Sequence, residues 1–373
     1  MKSAMQVEER TLFRRIDFSF AVVILGLNLI GLINLYSATH GVHNQGTSRL
    51  FLSQIGWLLV GWTFFFVTTL INYQFFKRIA YILYAINISA LAAVMFIGRR
   101  ILGAQRWLDF GLFHYQPSET MKLTLIVVLA KFLAHKDPQK GLGYKGLLGP
   151  MLLIGIPFVL TVKQPDLGTA ILLVFIALSM ILFVGVKKSI LTTALALSFV
   201  AAPMVWSFGL KNYQKNRILT FLYPGRDPRG AGYNSIQSKI AVGSGKVLGK
   251  GFRKGTQSQL EFLPERHTDF IYSVLSEEHG FIGSILTLGL FMILLVMSIR
   301  IASQSRDRFG TLMVVGVIAY IFWHMFVNIG MVIGILPIVG VPLPLLSYGG
   351  TGMLSTMAGL GLISSVAYRR YLF

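Results

Sequence analysis

Ten apolar segments separated by short polar connections constrain this chain more than any other feature. They lie near residues 16–37, 52–71, 79–98, 118–134, 147–163, 168–186, 189–209, 270–299, 310–333 and 351–368. Runs of roughly 17–25 residues are long enough to cross ~30 Å of hydrocarbon as helices. The expectation is an all-α integral membrane protein of about ten transmembrane helices, with residues 1–373 forming a single polytopic domain. Pro150, Pro157 and Pro165 interrupt the fourth to sixth segments. Composition agrees: 54% of residues are hydrophobic and 13% charged, where a soluble domain carries about 25% charge. The net charge of +20 would by itself suggest nucleic acid, but the apolar runs redirect it to a membrane, and no nucleic acid partner is expected. The chain has no cysteine, which removes disulfides, thiolate zinc sites and cysteine nucleophiles. The apolar run after the polar start is too long for a signal-peptide core and lacks a small-residue cleavage site, so no cleaved leader is expected.

Lysine and arginine in the short connections set the orientation. With a cytoplasmic N-terminus, sixteen fall inside, among them Lys2, Arg10, Arg14, Arg15, Lys140, Arg369 and Arg370. Five fall outside: Arg49, Arg99, Arg100, Arg106 and Lys163. Both termini are therefore expected in the cytoplasm. The long connection 210–268, between the seventh and eighth segments, then lies outside with eleven basic residues against Asp227, Glu261 and Glu265, a net +8. Long loops translocate largely regardless of charge. The surplus suits either anionic headgroups or a phosphorylated substrate.

Four stretches break the apolar pattern, all on the outer side of this topology. They are Gly103-Ala-Gln-Arg-Trp107 running on to Gln116-Pro-Ser-Glu119 and Lys122; Gln164-Pro-Asp-Leu-Gly-Thr169; the long loop, ending at Asp269; and Gly340-Val-Pro-Leu-Pro-Leu-Leu-Ser-Tyr-Gly-Gly350. Non-helical backbone at membrane depth survives only where protein or a water-filled cavity covers it, so the four are expected to converge on one outward cavity. Asp269, at the mouth of the eighth span, reads as a helix cap or as a functional carboxylate. Glu277 and Glu278 follow in that helix, one of them a candidate for the cavity. Glu119 and Lys122 share a helix face, as a structural pair or as a cavity pair. Arg106 and Trp107 suit an anion contact beside a sugar platform, or an interfacial anchor. Asp166 caps the sixth span or joins the cavity. Ser347 and Tyr348, in a broken segment, either donate to substrate or pack.

Other motifs fail on inspection. Gly243-Ser-Gly-Lys-Val-Leu-Gly-Lys-Gly251 lacks the spacing of a phosphate loop and a preceding strand. With Ile236, Ile240, Val242 and Val247 it reads as an amphipathic segment on the outer membrane surface. No His-Glu-x-x-His spacing occurs, and His267 is a lone signal.

Taken with Leu263-Pro-Glu-Arg-His-Thr-Asp269 and Ser276-Glu-Glu-His-Gly280, these strings resemble the SEDS family of shape, elongation, division and sporulation proteins, from the first span to the last. Arg266 inclines the resemblance to the rod-shape branch. His279 departs from it, since members often carry Leu there. The resemblance implies a peptidoglycan glycosyltransferase that polymerises lipid II outside the bacterial cytoplasmic (inner) membrane, with a class B penicillin-binding protein, a transpeptidase, as partner. It implies that Asp269 is catalytic and that Glu119, Lys122, Arg106 and Trp107 belong to the substrate cavity.

The chemistry asks for a carboxylate base and for cations on the departing diphosphate. Asp269 fits the first. Arg106, Lys122, Arg217 and Arg266 fit the second. A divalent cation, Mg or Mn, would assist, although no ligand set demands it. Two other classes stay open: a lipid-linked precursor flippase, and a non-catalytic scaffold for a cell-wall synthase. A flippase should show matched broken segments in both halves, and none is found.

Overall fold

The computed structural model describes residues 17–40, 49–101, 104–111, 113–136, 141–210, 212–223, 225, 231–260 and 262–370. Gly103, Asp227 and Glu261 lie outside these residues, as do the inner cations Lys2, Arg10, Arg14, Arg15 and Lys140.

Helices form where the apolar runs lie, and short polar side chains cap four of them. They are α1 (Phe18–Thr39), α2 (Arg49–Leu70), α3 (Tyr73–Ile97), α4 (Pro117–Ala134), α5 (Tyr144–Lys163), α6 (Leu167–Val184) and α7 (Lys188–Met204). Then come α8 (Asn212–Leu222), α9 (Ala231–Ser244), α10 (Thr256–Gln259), α11 (Ile271–Ser303), α12 (Arg308–Ile333) and α13 (Gly350–Arg369). Asp17, Asn72, Asp166 and Asp307 each accept a hydrogen bond from a first-turn backbone N–H of α1, α3, α6 and α12, satisfying donors that have no partner within the helix. Pro117 opens α4, where a missing N–H costs nothing. Pro150 and Pro157 sit inside α5.

Among the described residues, nine helices are long and apolar enough to cross a membrane. The expected tenth is α4. It forms where expected, but Glu119, Lys122 and Lys131 make it too polar to count as an apolar span. It is instead a largely buried element, flanked by α3, α6 and α12. Leu125, Ile126, Val128 and Leu129 are fully buried there, with Met180, Val317 and Leu360 in the same core. The α2–α13 pair has the most extensive helix contact. Small residues bring the backbones together: a Cβ at Gly361 would lie 2.5 Å from the Phe65 carbonyl oxygen. Close approach through small residues is how helices gain packing where no water drives association.

Two features were not expected as secondary structure. Residues 99–115 form three short antiparallel strands, β1 (Arg99–Ile101), β2 (Ala104–Asp109) and β3 (His114–Tyr115). They hang Arg106 and Trp107 beside the start of α4. The second feature is a break in α11 at Gly280, with φ 64° and ψ −157°. The helix hydrogen bonds lost at the break are replaced by residues 246–251. Lys250 and Gly251 N–H donate to the Glu277 and Glu278 carbonyls at 3.0 Å each, and Phe281 and Ile282 N–H donate to the Lys246 and Val247 carbonyls at 2.9 and 3.2 Å. The glycine-rich run is thus a backbone clasp on α11, a contact that its reading as a surface-lying amphipathic segment did not include. Only Ile236, Ile240, Val247 and Leu248 keep an exposed apolar face. The opposite side of α9 packs on α11 and α12, where Ser238 Oγ lies 2.8 Å from Ser273 Oγ and donates to the Val332 carbonyl at 2.7 Å.

Candidate active site

The four irregular stretches meet around a cavity of about 380 Å³. Arg106 and Trp107 come from β2, Glu119 from the first turn of α4 and Asp166 from the cap of α6. Arg217 comes from α8, and Asp269 from the turn before α11. The segment 339–352 closes another wall.

Asp269 is held by its backbone while its side chain is left to the cavity. Asn328 on α12 donates to the Asp269 carbonyl at 2.8 Å and to the Val341 carbonyl at 2.7 Å. Ser347 Oγ donates to the Thr268 carbonyl at 2.7 Å and accepts from Leu343 N–H at 2.8 Å. Tyr348 N–H donates to the His267 carbonyl at 2.9 Å. These bonds tie the loop before α11 to the broken segment before α13. Gly340 lies opposite: a Cβ there would sit 3.2 Å from Asp269 Oδ2, and its φ of 74° also favours glycine. Burial pushes the Asp269 carboxyl up to about 7. Glu265 and Asp166 add to the rise, and Arg106 and Arg217 oppose it.

Arg106 is fixed by backbone oxygens. Its Nη2 donates to the Pro165 carbonyl, its Nε to the Gln164 carbonyl at 3.3 Å, and Nη1 is 3.6 Å from Asp166 Oδ1. Asp166 both caps α6 and lines the cavity, so its two readings hold together. Gln116 Nε2 also donates to it at 3.4 Å.

The Glu119–Lys122 pair lies at the cavity floor. Lys122 is wholly buried and does not line the cavity. Its Nζ donates to Glu119 Oε1 at 2.7 Å and to His324 Nε2 at 2.8 Å. With Nε2 accepting, the His324 proton sits on Nδ1, directed at the Pro342 carbonyl 3.3 Å away. Glu119 Oε2 is buried with no hydrogen-bond partner among the described residues, while Glu119 contributes to the cavity wall.

The remaining sequence candidates sit elsewhere. Arg266 Nε donates to the Ala38 carbonyl at 2.7 Å, fastening the loop to α1. His267 packs edge-on to Tyr348, and burial holds its imidazole below its ordinary pKa. Glu277 is fully buried under the clasp, accepting from Lys250 Nζ at 2.7 Å and from the N–H groups of Gln257 and Ser258 at 3.0 and 3.3 Å. Glu278 Oε1 accepts from Ser37 Oγ at 2.6 Å. Ser347 is spent on the loop bonds above. Sequence reasoning passed over Gln116, His324, Asn328 and Glu265 as site residues. His324 and Asn328 had a signal: two polar residues four apart on an otherwise apolar helix share one face, and such residues in a span normally face the bundle interior.

Residues 18–372 match the FtsW/RodA/SpoVE family, described as cell cycle proteins. The chain belongs to this family. The peptidoglycan glycosyltransferase MrdB of Escherichia coli K12 is 42% identical over 317 residues, 85% of each chain. The peptidoglycan glycosyltransferase RodA of Treponema pallidum is 31% identical over 427 residues, covering 95% of this chain and 98% of that one. A chain from a solved peptidoglycan synthase complex, described for its structural coordination of polymerization and crosslinking, superposes with a TM-score of 0.82 at 30% identity. That match covers 96% of this chain and 99% of the other. The family is the one the motifs resemble, and the RodA name agrees with the rod-shape branch suggested by Arg266.

Proposed function

We propose that this chain, a peptidoglycan glycosyltransferase, polymerises lipid II by one inverting displacement with Asp269 as general base. The observation that carries the reading is that the Asp269 carboxyl, its pKa raised by burial, shares one cavity wall with Arg106 and Arg217. A base works best when its pKa lies close to the operating pH, and such a group contributes about 10²–10⁴-fold.

The acceptor sugar hydroxyl gives its proton to Asp269 as its oxygen bonds the donor's anomeric carbon. The bond from that carbon to the diphosphate oxygen breaks on the opposite face. The α-linked donor becomes a β-1,4 product, and undecaprenyl diphosphate leaves with the electron pair. Arg106, immobilised by the carbonyls of Gln164 and Pro165, and Arg217 are set to meet the growing charge, which preorganised cations stabilise without reorganising. Glu119 contributes to the cavity wall and Trp107 offers a platform for the sugar ring. Lys122 acts behind Glu119 by holding it in place. Among the described residues no three carboxylate or imidazole groups cluster as a metal site, so Mg or Mn, where required, would enter with the diphosphate.

The multi-pass bundle lies in the bacterial inner membrane with its cavity outward, as the balance of short-loop lysines and arginines supports. A class B penicillin-binding protein is the proposed partner, in keeping with the synthase complex that the fold resembles. Purified protein should form glycan ladders from lipid II in detergent, with the partner and divalent cations present, where transport has no meaning. Lipid II left unchanged in that assay would favour the flippase or the scaffold.

A further inference from the structure

The break in α11 also marks a level in the membrane. Residues 271–278 are all buried, whereas from Phe281 onward the helix shows an apolar exposed face through Phe281, Ile282, Ile285 and Leu286. From Gly280 to Ser303 the helix spans about 35 Å at ~1.5 Å per residue, close to the ~30 Å of the hydrocarbon. A helix of that length, taken as one crossing, sets Gly280 near the boundary between acyl chains and headgroups. The clasp, bonded to residues 277–282, is fixed at that same height. A second span agrees: Phe252 stacks on Tyr36, in the last turn of α1, with ring centroids 6.3 Å apart, and Arg253 lies 5.9 Å from the same ring.

At this height the clasp carries Val247 and Leu248, the latter 77% exposed, with exposed Phe252 beside them. Lys246, Arg253 and Lys254 are exposed around these apolar side chains. Lys250 is turned inward to Glu277. No acidic residue occurs from 246 to 254. Apolar tips flanked only by cations match the acyl boundary below a layer of anionic phosphates.

We propose that residues 246–254 are an interfacial anchor that seats Val247 and Leu248 among acyl chains and binds anionic phospholipid headgroups through Lys246, Arg253 and Lys254. Through the clasp the anchor fixes the depth of α11, and so the height of Asp269 at its start. The inference does not depend on the role of Asp269.

The absence of native cysteine makes Leu248→Cys a unique labelling site. The full chain, labelled there with an environment-sensitive fluorophore, is reconstituted in phosphatidylcholine vesicles containing spin-labelled lipids. A label at Ile285→Cys, on the exposed face of α11, reports correct insertion. Shallow spin labels should quench position 248 more than deep ones. Quenching should be about twofold or more stronger when the labelled lipid is phosphatidylglycerol than when it is phosphatidylcholine. Replacing Lys246, Arg253 and Lys254 together by Gln should abolish that preference and keep the shallow quenching. A parent protein that shows no lipid quenching at 248, or equal quenching by the two lipids, overturns the proposal. So does a label shielded only when the transpeptidase partner is added, which would make the surface a protein interface.

Discussion

Asn328 and His324 hold the site from beneath. Together they bond the backbone oxygens of Asp269, Val341 and Pro342 from one face of α12. Replacing Asn328 by Ala leaves two buried carbonyls without that donor, at about 1–3 kcal/mol each, and frees the turn that aims Asp269. Asn328→Ala should lower kcat on lipid II by about tenfold or more with a smaller change in KM, and should shift the midpoint of the pH–rate profile. A purely structural Asn328 would lower the amount of folded protein and leave that midpoint alone. The Glu119–Lys122 pair makes a different prediction. Lys122→Met strands a buried carboxylate and should cost about 3–5 kcal/mol, whereas adding Glu119→Gln should recover much of it. Thermal unfolding in detergent reads the two variants directly, and equal midpoints would mean that the pair is not coupled. Sequence spacing alone revealed this pair because its members lie three residues apart on one helix. It did not reveal His324, since 202 residues separate it from Lys122 and only packing of α12 against α4 brings them together.

The elements followed the apolar runs closely, because a span must satisfy its own backbone and so declares itself by length. What escaped were pieces whose partners are remote. The three strands between residues 99 and 115 have no alternating apolar pattern long enough to announce them. The clasp depends on backbone groups more than 25 residues apart, and its glycines report close approach between backbones rather than a phosphate contact. Gly280 is the test of this element. A Cβ there would lie 2.3 Å from the Gly249 nitrogen and 2.6 Å from the Val247 carbonyl oxygen, at positive φ. Gly280→Ala should destabilise by about 2 kcal/mol or more, seen as a lower unfolding midpoint and faster proteolysis of residues 245–260. A variant that melts like the parent would mean that the clasp does not hold α11.

At the scale of the whole molecule, the ordering of inside and outside rests on loop charge, and the cysteine-free chain allows a direct check. Gly225→Cys, in the long loop, should react with an impermeant maleimide on intact spheroplasts. Ser303→Cys, at the far end of α11, should react only after the membrane is opened. The reverse pattern would turn the cavity to the cytoplasm. The motif stretches already suggested one shared cavity, because irregular polar backbone on one side of a membrane needs cover. Which of their side chains would face it was not legible. Glu277 and Ser347 are as polar as Asp166, yet backbone donors and the clasp consume them. The raised carboxyl of Asp269 bears on the central claim most directly. A base must be deprotonated, and burial disfavours the charged form, so proton abstraction should fail below the carboxyl pKa and recover above it. The decisive measurement is the rate of lipid II polymerisation by the parent and by Asp269→Asn on either side of pH 7. The parent rate should climb through about pH 7 while the variant stays about 10²-fold or more lower at every pH. Near-parental polymerisation by the variant would contradict the account.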